Sequence, residues 1–199
     1  MTDDPLAPVL RALNRPGAPS SDFDLNRDSP LPAARTLREA GVLVPFMVAS
    51  TGCALILTKR SSRLRHHPGQ IAFPGGKVDP TDADATAAAV RESSEEIGLD
   101  PGNVEILGHL PAHETVTGFR ITPVLGRIIA PFDPRPEAGE VDEVFTVPLA
   151  HVTDPACYCV QSRMWMGMRR NYYTVPYGPY YIWGATARIL RALADRMTP

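Results

Sequence analysis

Glu92, Glu95 and Glu96 stand at i, i+3 and i+4, directly after Arg91 and just before Gly98. On a helix this spacing stacks three carboxylates on one stripe, where like charges repel by roughly a few tenths of a kcal/mol per pair unless a cation sits between them. Upstream, Phe73-Pro74-Gly75-Gly76 forms a tight loop whose backbone can approach an ion or a phosphate, because two successive residues carry no side chain. Glu92, Glu95, Glu96, the Gly76 carbonyl and waters make an all-oxygen ligand set, which suits Mg²⁺ or Mn²⁺ and not zinc. A Glu-rich helix that merely solvates its charged face is the bland alternative. The Pro-Gly-Gly approach and Arg91 beside the cluster argue against it.

A second constellation precedes the first. Arg60, Arg63, Arg65, His66 and His67 crowd a loop that runs into the Pro-Gly-Gly turn. Guanidinium forks suit bidentate phosphate binding, so anionic substrate is the natural partner, although an isolated basic loop would more often be ordinary surface. His66 and His67 are ambiguous individually. Farther on, Glu140 and Glu143 flank a short acidic stretch that could supply a further carboxylate.

These groups need a helix and strands to hold them. At about 100° per residue, with Glu92 at zero, Glu96 falls at about 40° and Glu95 at about −60°. Ala83, Ala87, Val90, Ser94 and Ile97 gather on the opposite side, which predicts small apolar residues inward and carboxylates outward. Thr81 or Asp82 is the expected N-cap, with Asp84 in the first turn and Gly98 just past the C-terminus, giving a helix of about fifteen residues. Strands are expected at 42–49 and 53–59, joined as a hairpin by Ser50-Thr51-Gly52, and again at 104–110, 121–130 and 141–147. A short helix at 3–13 is followed by a loop rich in Pro, Ser and Asp over 15–32. An amphipathic helix at 183–197 closes the chain. Strands interleaved with helices predict an α/β sandwich. Residues 1–40 read as a lead segment packing on a domain that spans 41–199.

With 199 residues the chain can bury a core without disulfides, and a net charge of −2 gives no global attraction to nucleic acid or anionic membrane. Cys53, Cys157 and Cys159 are odd in number and lack Cys-x-x-Cys spacing, so reduced thiols in or near the core are expected. No apolar run is long enough for a membrane helix and the first residues are acidic, which makes the cytoplasm the expected location.

The pattern Gly-x5-Glu-x7-Arg-Glu-U-x-Glu-Glu-x-Gly-U, with U a bulky aliphatic, is the Nudix box, and residues 76–99 resemble it. Asp82 replaces the first glutamate, eight residues instead of seven separate it from Arg91, and Ser93 stands where an aliphatic is usual. The stretch from Ile56 through Arg60, Ser61, Arg65, Gly69 and Phe73 to Gly75 and Gly76 is similar to the signature of coenzyme A pyrophosphatases, departing only at Ile56. Thr115 to Phe119 and Ile182 to Ala187 also resemble that subfamily, and both are expected to be structural, with Trp183 in the core.

The resemblance implies a Nudix-type α/β/α sandwich with a mixed central sheet. It implies one to three Mg²⁺ or Mn²⁺ ions held by Glu92, Glu95, Glu96 and the Gly76 carbonyl, with Arg91 orienting the cluster by pairing with Glu95. Arg60, Ser61, Arg65, Gly69, Phe73 and Gly75 become substrate-binding candidates. Glu92, Glu95, Glu140 and Glu143 are candidates for the base, Glu143 first. The implied activity is hydrolysis of the coenzyme A pyrophosphate bond to 3′,5′-ADP and 4′-phosphopantetheine, oxidised or acylated forms also being plausible. Another nucleoside diphosphate derivative (NADH, ADP-ribose or a dinucleoside polyphosphate) is the alternative substrate, and a non-catalytic nucleotide sensor the alternative class. The expected partner is a small molecule, with neither nucleic acid nor membrane involved and homodimerisation left open.

Overall fold

The computed structural model describes residues 4–27, 35–50, 52–165 and 167–198. Residue 3 of the expected first helix, residues 28–32 of the expected loop and Thr51 of the expected hairpin turn lie outside them.

A mixed sheet forms the middle layer. Strands β2 (Arg38–Ala49) and β3 (Gly52–Arg60) pair as the expected antiparallel hairpin, with Phe46 opposite Leu55. On its other edge β2 runs parallel to β8 (Phe119–Ile128), and β3 pairs antiparallel with β9 (Val141–Pro148). β6 (Val104–His109) extends β8, while the short β4 (Ile71–Ala72) and β5 (Gly75–Lys77) attach to β3 and β2. β2 starts at Arg38, so the boundary expected at residue 40 cuts a strand. The lead segment also joins the sheet, through β1 (Ser20–Ser21) parallel to β7 (His113–Glu114).

Side chains alternate across each strand and feed two cores. On one face Leu43, Ile56 and Val124 meet Ala89 and Ile97 of α2 (Ala85–Ile97). On the other, Val44, Phe46, Leu55, Leu57, Phe145 and Val147 are covered by α1 (Ala7–Leu13), α3 (Leu149–Thr153) and α4 (Gly184–Met197). Helices on both faces of a mixed sheet make the α/β/α sandwich. Arg196 fastens α1 to α4 by donating to the Ala12 and Leu13 carbonyls.

Besides the short β1, β4, β5, β7 and α3, one hairpin was not expected. β10 (Cys159–Trp165) and β11 (Met168–Thr174) form a separate antiparallel hairpin. Most of β10 is exposed, so it lacks the buried alternation that marks a strand in sequence. The cysteines depart from expectation in one case: Cys53 and Cys157 are half-buried, but Cys159 is exposed.

Candidate active site

The carboxylate helix starts later than expected. Asp84 is its N-cap, accepting from the Ala87 N–H at 2.8 Å, and the helix spans 13 residues. Asp82 instead receives both Nε and Nη2 of Arg91, at 3.0 and 2.9 Å. Gly98, at φ 69°, closes the helix by donating to the Ser93 and Ser94 carbonyls, as the spacing predicts. Ser93 is buried without an aliphatic side chain because its hydroxyl donates to the Ala89 carbonyl at 2.6 Å.

The inward face differs from the wheel. Ala88, Ala89, Ser93, Glu96 and Ile97 are the buried residues of α2, whereas Ala83 precedes the helix and is exposed. Glu92 and Glu96 therefore turn toward the sheet, and only Glu95 stands well out, with 58% of its side chain exposed. A polarity wheel assumes that the inner face is apolar. Here that face meets glycines, and the room they leave is filled by carboxylates.

Gly41, Gly75 and Gly76 make that room. In the β2–β5 ladder Gly41 lies opposite Gly76 and Val42 opposite Gly75. A Cβ at Gly41 would lie 1.9 Å from the Ala85 carbonyl oxygen, so α2 sits directly on the β2 backbone. A Cβ at Gly76 would lie 2.4 Å from Cδ of Glu92, and Gly75 adopts φ 149° while donating its N–H to Glu96 Oε2 at 3.1 Å. The Pro-Gly-Gly turn thus presses its backbone against both carboxylates.

Arg91 spans the cluster. Its Nη1 donates to Glu92 Oε1 and to Glu95 Oε2, both at 3.0 Å, and its Nη2 donates to the Lys77 carbonyl at 3.2 Å. Arg60 approaches Glu96 from the other side, at 3.8 Å. Burial pushes the Glu96 carboxyl up to about 7, against the Gly75 N–H and Arg60, and the charges of Glu92 and Glu140 add to the rise. Burial also raises Glu92, partly opposed by Arg91 and reinforced by Glu95 and Glu140. Asp82 is held below the ordinary carboxylate range by its bonds to Arg91.

Two desolvated carboxylates, side by side and incompletely neutralised, fit a hard divalent cation. Among the described residues no three His, Cys, Asp or Glu side chains are already gathered as ligands of an ion. Arg91 engages Glu92 and Glu95 together.

Glu143 stands elsewhere. It lies opposite Lys59 on the β3–β9 ladder and shares a sheet face with Phe145 and Val147, the face covered by α3 and α4. Its carboxylate accepts from the Tyr180 hydroxyl, and the Tyr180 ring stacks on Phe145 at 3.5 Å. From the sequence Glu143 is expected to reach the metals; in the structure its carboxylate lies on the sheet face away from α2. Glu140 is the acidic residue of this stretch whose charge acts on both Glu92 and Glu96.

The basic loop divides as well. Arg60, Phe73 and Gly75 line a lobe of about 270 Å³ beside the carboxylates. Gly69, at φ 68°, lines a second lobe of about 480 Å³. Ser61 is fully buried, its Oγ accepting from the Arg63 N–H at 3.3 Å, and so shapes the loop. Arg65 is exposed and lines neither lobe. His67, Gln70, Arg163 and Trp183 line both lobes and join them into one cleft.

Trp183 was expected in the core, but it is half-buried on the cleft wall; the neighbouring Ile182 is the buried residue. Arg163 and Tyr180 were missed altogether. Their only signal in sequence is an aromatic-rich tail without a periodic apolar face.

A model of the NUDIX domain matches residues 37–161. The uncharacterized Nudix hydrolase NudL of Escherichia coli is 43% identical over 157 residues, covering 79% of this chain and 81% of that protein. NudL of Klebsiella pneumoniae is 42% identical over 174 residues, covering 87% and 90%. The fold also matches a Nudix hydrolase from Alicyclobacillus acidocaldarius, with a TM-score of 0.50 and 18% identity over 82% of this chain and 93% of that one. The chain belongs to the Nudix family of hydrolases, whose box is the loop and helix described above.

Proposed function

We propose that this Nudix hydrolase cleaves the pyrophosphate bond of coenzyme A, giving 3′,5′-ADP and 4′-phosphopantetheine. The observation that carries the reading is Arg60, which lines the cleft while its guanidinium lies 3.8 Å from Glu96. Of the segment resembling the coenzyme A pyrophosphatase signature, Lys59, Arg60, residues 67–73 and Gly75 line the cleft, and Gly75 and Gly76 abut the carboxylates.

The family generally requires divalent metal, and Glu92, Glu95, Glu96 and the Gly76 carbonyl are the groups here that would hold Mg²⁺ or Mn²⁺. When bound, such an ion neutralises the phosphate oxygens and acidifies an attacking water. Arg91 keeps Glu92 and Glu95 on one side of the cluster, and Asp82 fixes Arg91. Glu96 is desolvated before substrate arrives, so a cation is favoured over water beside it. Arg60 faces the substrate's anionic backbone. Glu140 replaces Glu143 as the proposed proton acceptor, being the loop carboxylate that shares the field of Glu92 and Glu96.

The test is to incubate the protein with coenzyme A and Mg²⁺ or Mn²⁺ and weigh the products. 3′,5′-ADP with 4′-phosphopantetheine is the expected pair. Preferential hydrolysis of NADH, ADP-ribose or a dinucleoside polyphosphate would transfer the activity to another nucleoside diphosphate derivative.

A further inference from the structure

Arg163 extends from the β10–β11 hairpin over the ring of Trp183, its guanidinium carbon 4.4 Å from the ring centroid. Stacking on an indole occupies the flat face of a guanidinium and leaves its N–H edges available in the plane. Among the described residues neither Arg163 nor Lys59 forms an ion pair or a side-chain hydrogen bond, and both line the 480 Å³ lobe. Among the described residues that line it, the one carboxylate, Glu143, is engaged by Tyr180. His67, at φ 55°, also lines it, and its imidazole is held below its ordinary range by partial desolvation in the lobe and then by the charges of Arg60, His66 and Arg163. Positive charge converges on this lobe, and among the described residues Arg163 has no acidic partner.

We infer that Arg163, braced on Trp183, and Lys59 form a second anion subsite, which binds a phosphate monoester of the substrate remote from the anhydride that is cleaved. The inference deepens the reading of the cleft as a coenzyme A site and rests on it, because a phosphate on the ribose is what such a subsite would select. It also relocates phosphate recognition from Arg65, which lines neither lobe, to Lys59 on β3 and Arg163 on a hairpin outside the basic loop. Guanidinium stacked on indole is less free to rotate, so less order is lost when the fork closes on phosphate.

Calorimetric binding of 3′,5′-ADP and 5′-AMP in metal-free buffer tests the subsite without requiring turnover. The parent protein should bind 3′,5′-ADP at least about tenfold more tightly, a margin of the size expected for charge-assisted bonds to one phosphate. Arg163→Ala and Lys59→Ala should each bring the ratio toward one with unchanged melting temperature, whereas Arg169→Ala, an exposed charge on the same hairpin, should preserve it. Equal affinities in the parent, or a preference that survives Arg163→Ala, would overturn the subsite. A preference found in a protein that does not cleave coenzyme A would sink the proposed substrate and leave the subsite standing; cleavage without a preference would do the reverse.

Discussion

Asp82 receives two parallel hydrogen bonds from Arg91, at 3.0 and 2.9 Å, although it occupies a position where the Nudix box has glutamate and lies one residue farther from the arginine. The longer spacing and the shorter side chain offset each other: the additional residue falls before the Asp84 cap, where the chain is not helical, and Asp82 still reaches the fork. Asp82→Ala should leave the fold intact and free Arg91 to reorient. Activity should fall by roughly tenfold or more, as removal of an outer partner of a metal ligand does. Steady-state kinetics at saturating Mn²⁺ and at limiting Mn²⁺ would separate a weakened ion site from a slowed reaction.

Glu96 supplies a pH prediction. Its carboxyl is raised to about 7, so between its unfolded value near 4.5 and 7 the folded protein holds a proton that the unfolded chain has released. Stability from this group is therefore present at low pH and lost as pH rises through that window. Metal-free Glu96→Gln should be more stable than the parent at pH 8, by at most about 3 kcal/mol, with the gap closing by about pH 4.5. The same variant should lose at least about a hundredfold in activity. Thermal melts across pH and turnover at one pH check both halves.

Gly76→Ala places a methyl carbon where Glu92 Cδ lies 2.4 Å away. Glu92 must withdraw, so the affinity for Mn²⁺ should fall by about tenfold or more while the fold is retained. Gly75→Ala is a different lesion, because its φ is 149° and its Cβ would meet the Gly41 carbonyl oxygen at 2.5 Å. That variant should lose about 1–3 kcal/mol of stability, read from chemical denaturation.

Glu140→Gln and Glu143→Gln discriminate the base. If Glu140 accepts the proton, its replacement lowers kcat by about a hundredfold. Glu143→Gln should cost less than about fivefold, since its carboxylate faces Tyr180 on the other side of the sheet. The reverse ranking would restore Glu143.

Asp22 ties the lead segment to the domain. It is paired with His113 at 3.2 Å and accepts from the Val116 N–H at 2.9 Å. Burial raises its carboxyl, but the His113, Val116 and Arg170 contacts outweigh burial and leave it below the ordinary range. Its stabilisation is thus present above the ordinary carboxylate range and lost as pH falls through the lowered value. Asp22→Ala should cost about 2 kcal/mol at neutral pH by leaving His113 without one partner, and should hasten proteolysis near residues 20–27.

The strands of the sandwich were legible because Leu43, Ile56, Val124 and their neighbours repeat along buried strands, and α2 because its box ends in a glycine that must be left-handed. The direction of Glu92 and Glu96 was not legible. Residue polarity alone points them to water, and only the opposed Gly41 and Gly76 explain why they turn inward. The β10–β11 hairpin was hidden for a related reason: its residues serve a cleft and solvent, so no apolar period announces it. The face that Glu143 takes was not legible either, because a position in a strand can be read before its face can.

The family match ends at residue 161, and Arg163, Tyr180 and Trp183 all come after it. The proposed phosphate subsite therefore straddles that limit, with Lys59 inside the match and Arg163 and Trp183 beyond it. The hairpin and the approach to α4 can accumulate changes without disturbing the Arg91 network, which makes them the natural place to retune which nucleotide enters. Exchanging the tail between relatives would therefore carry only the Arg163 half of the proposed subsite, and Lys59 would have to travel with it.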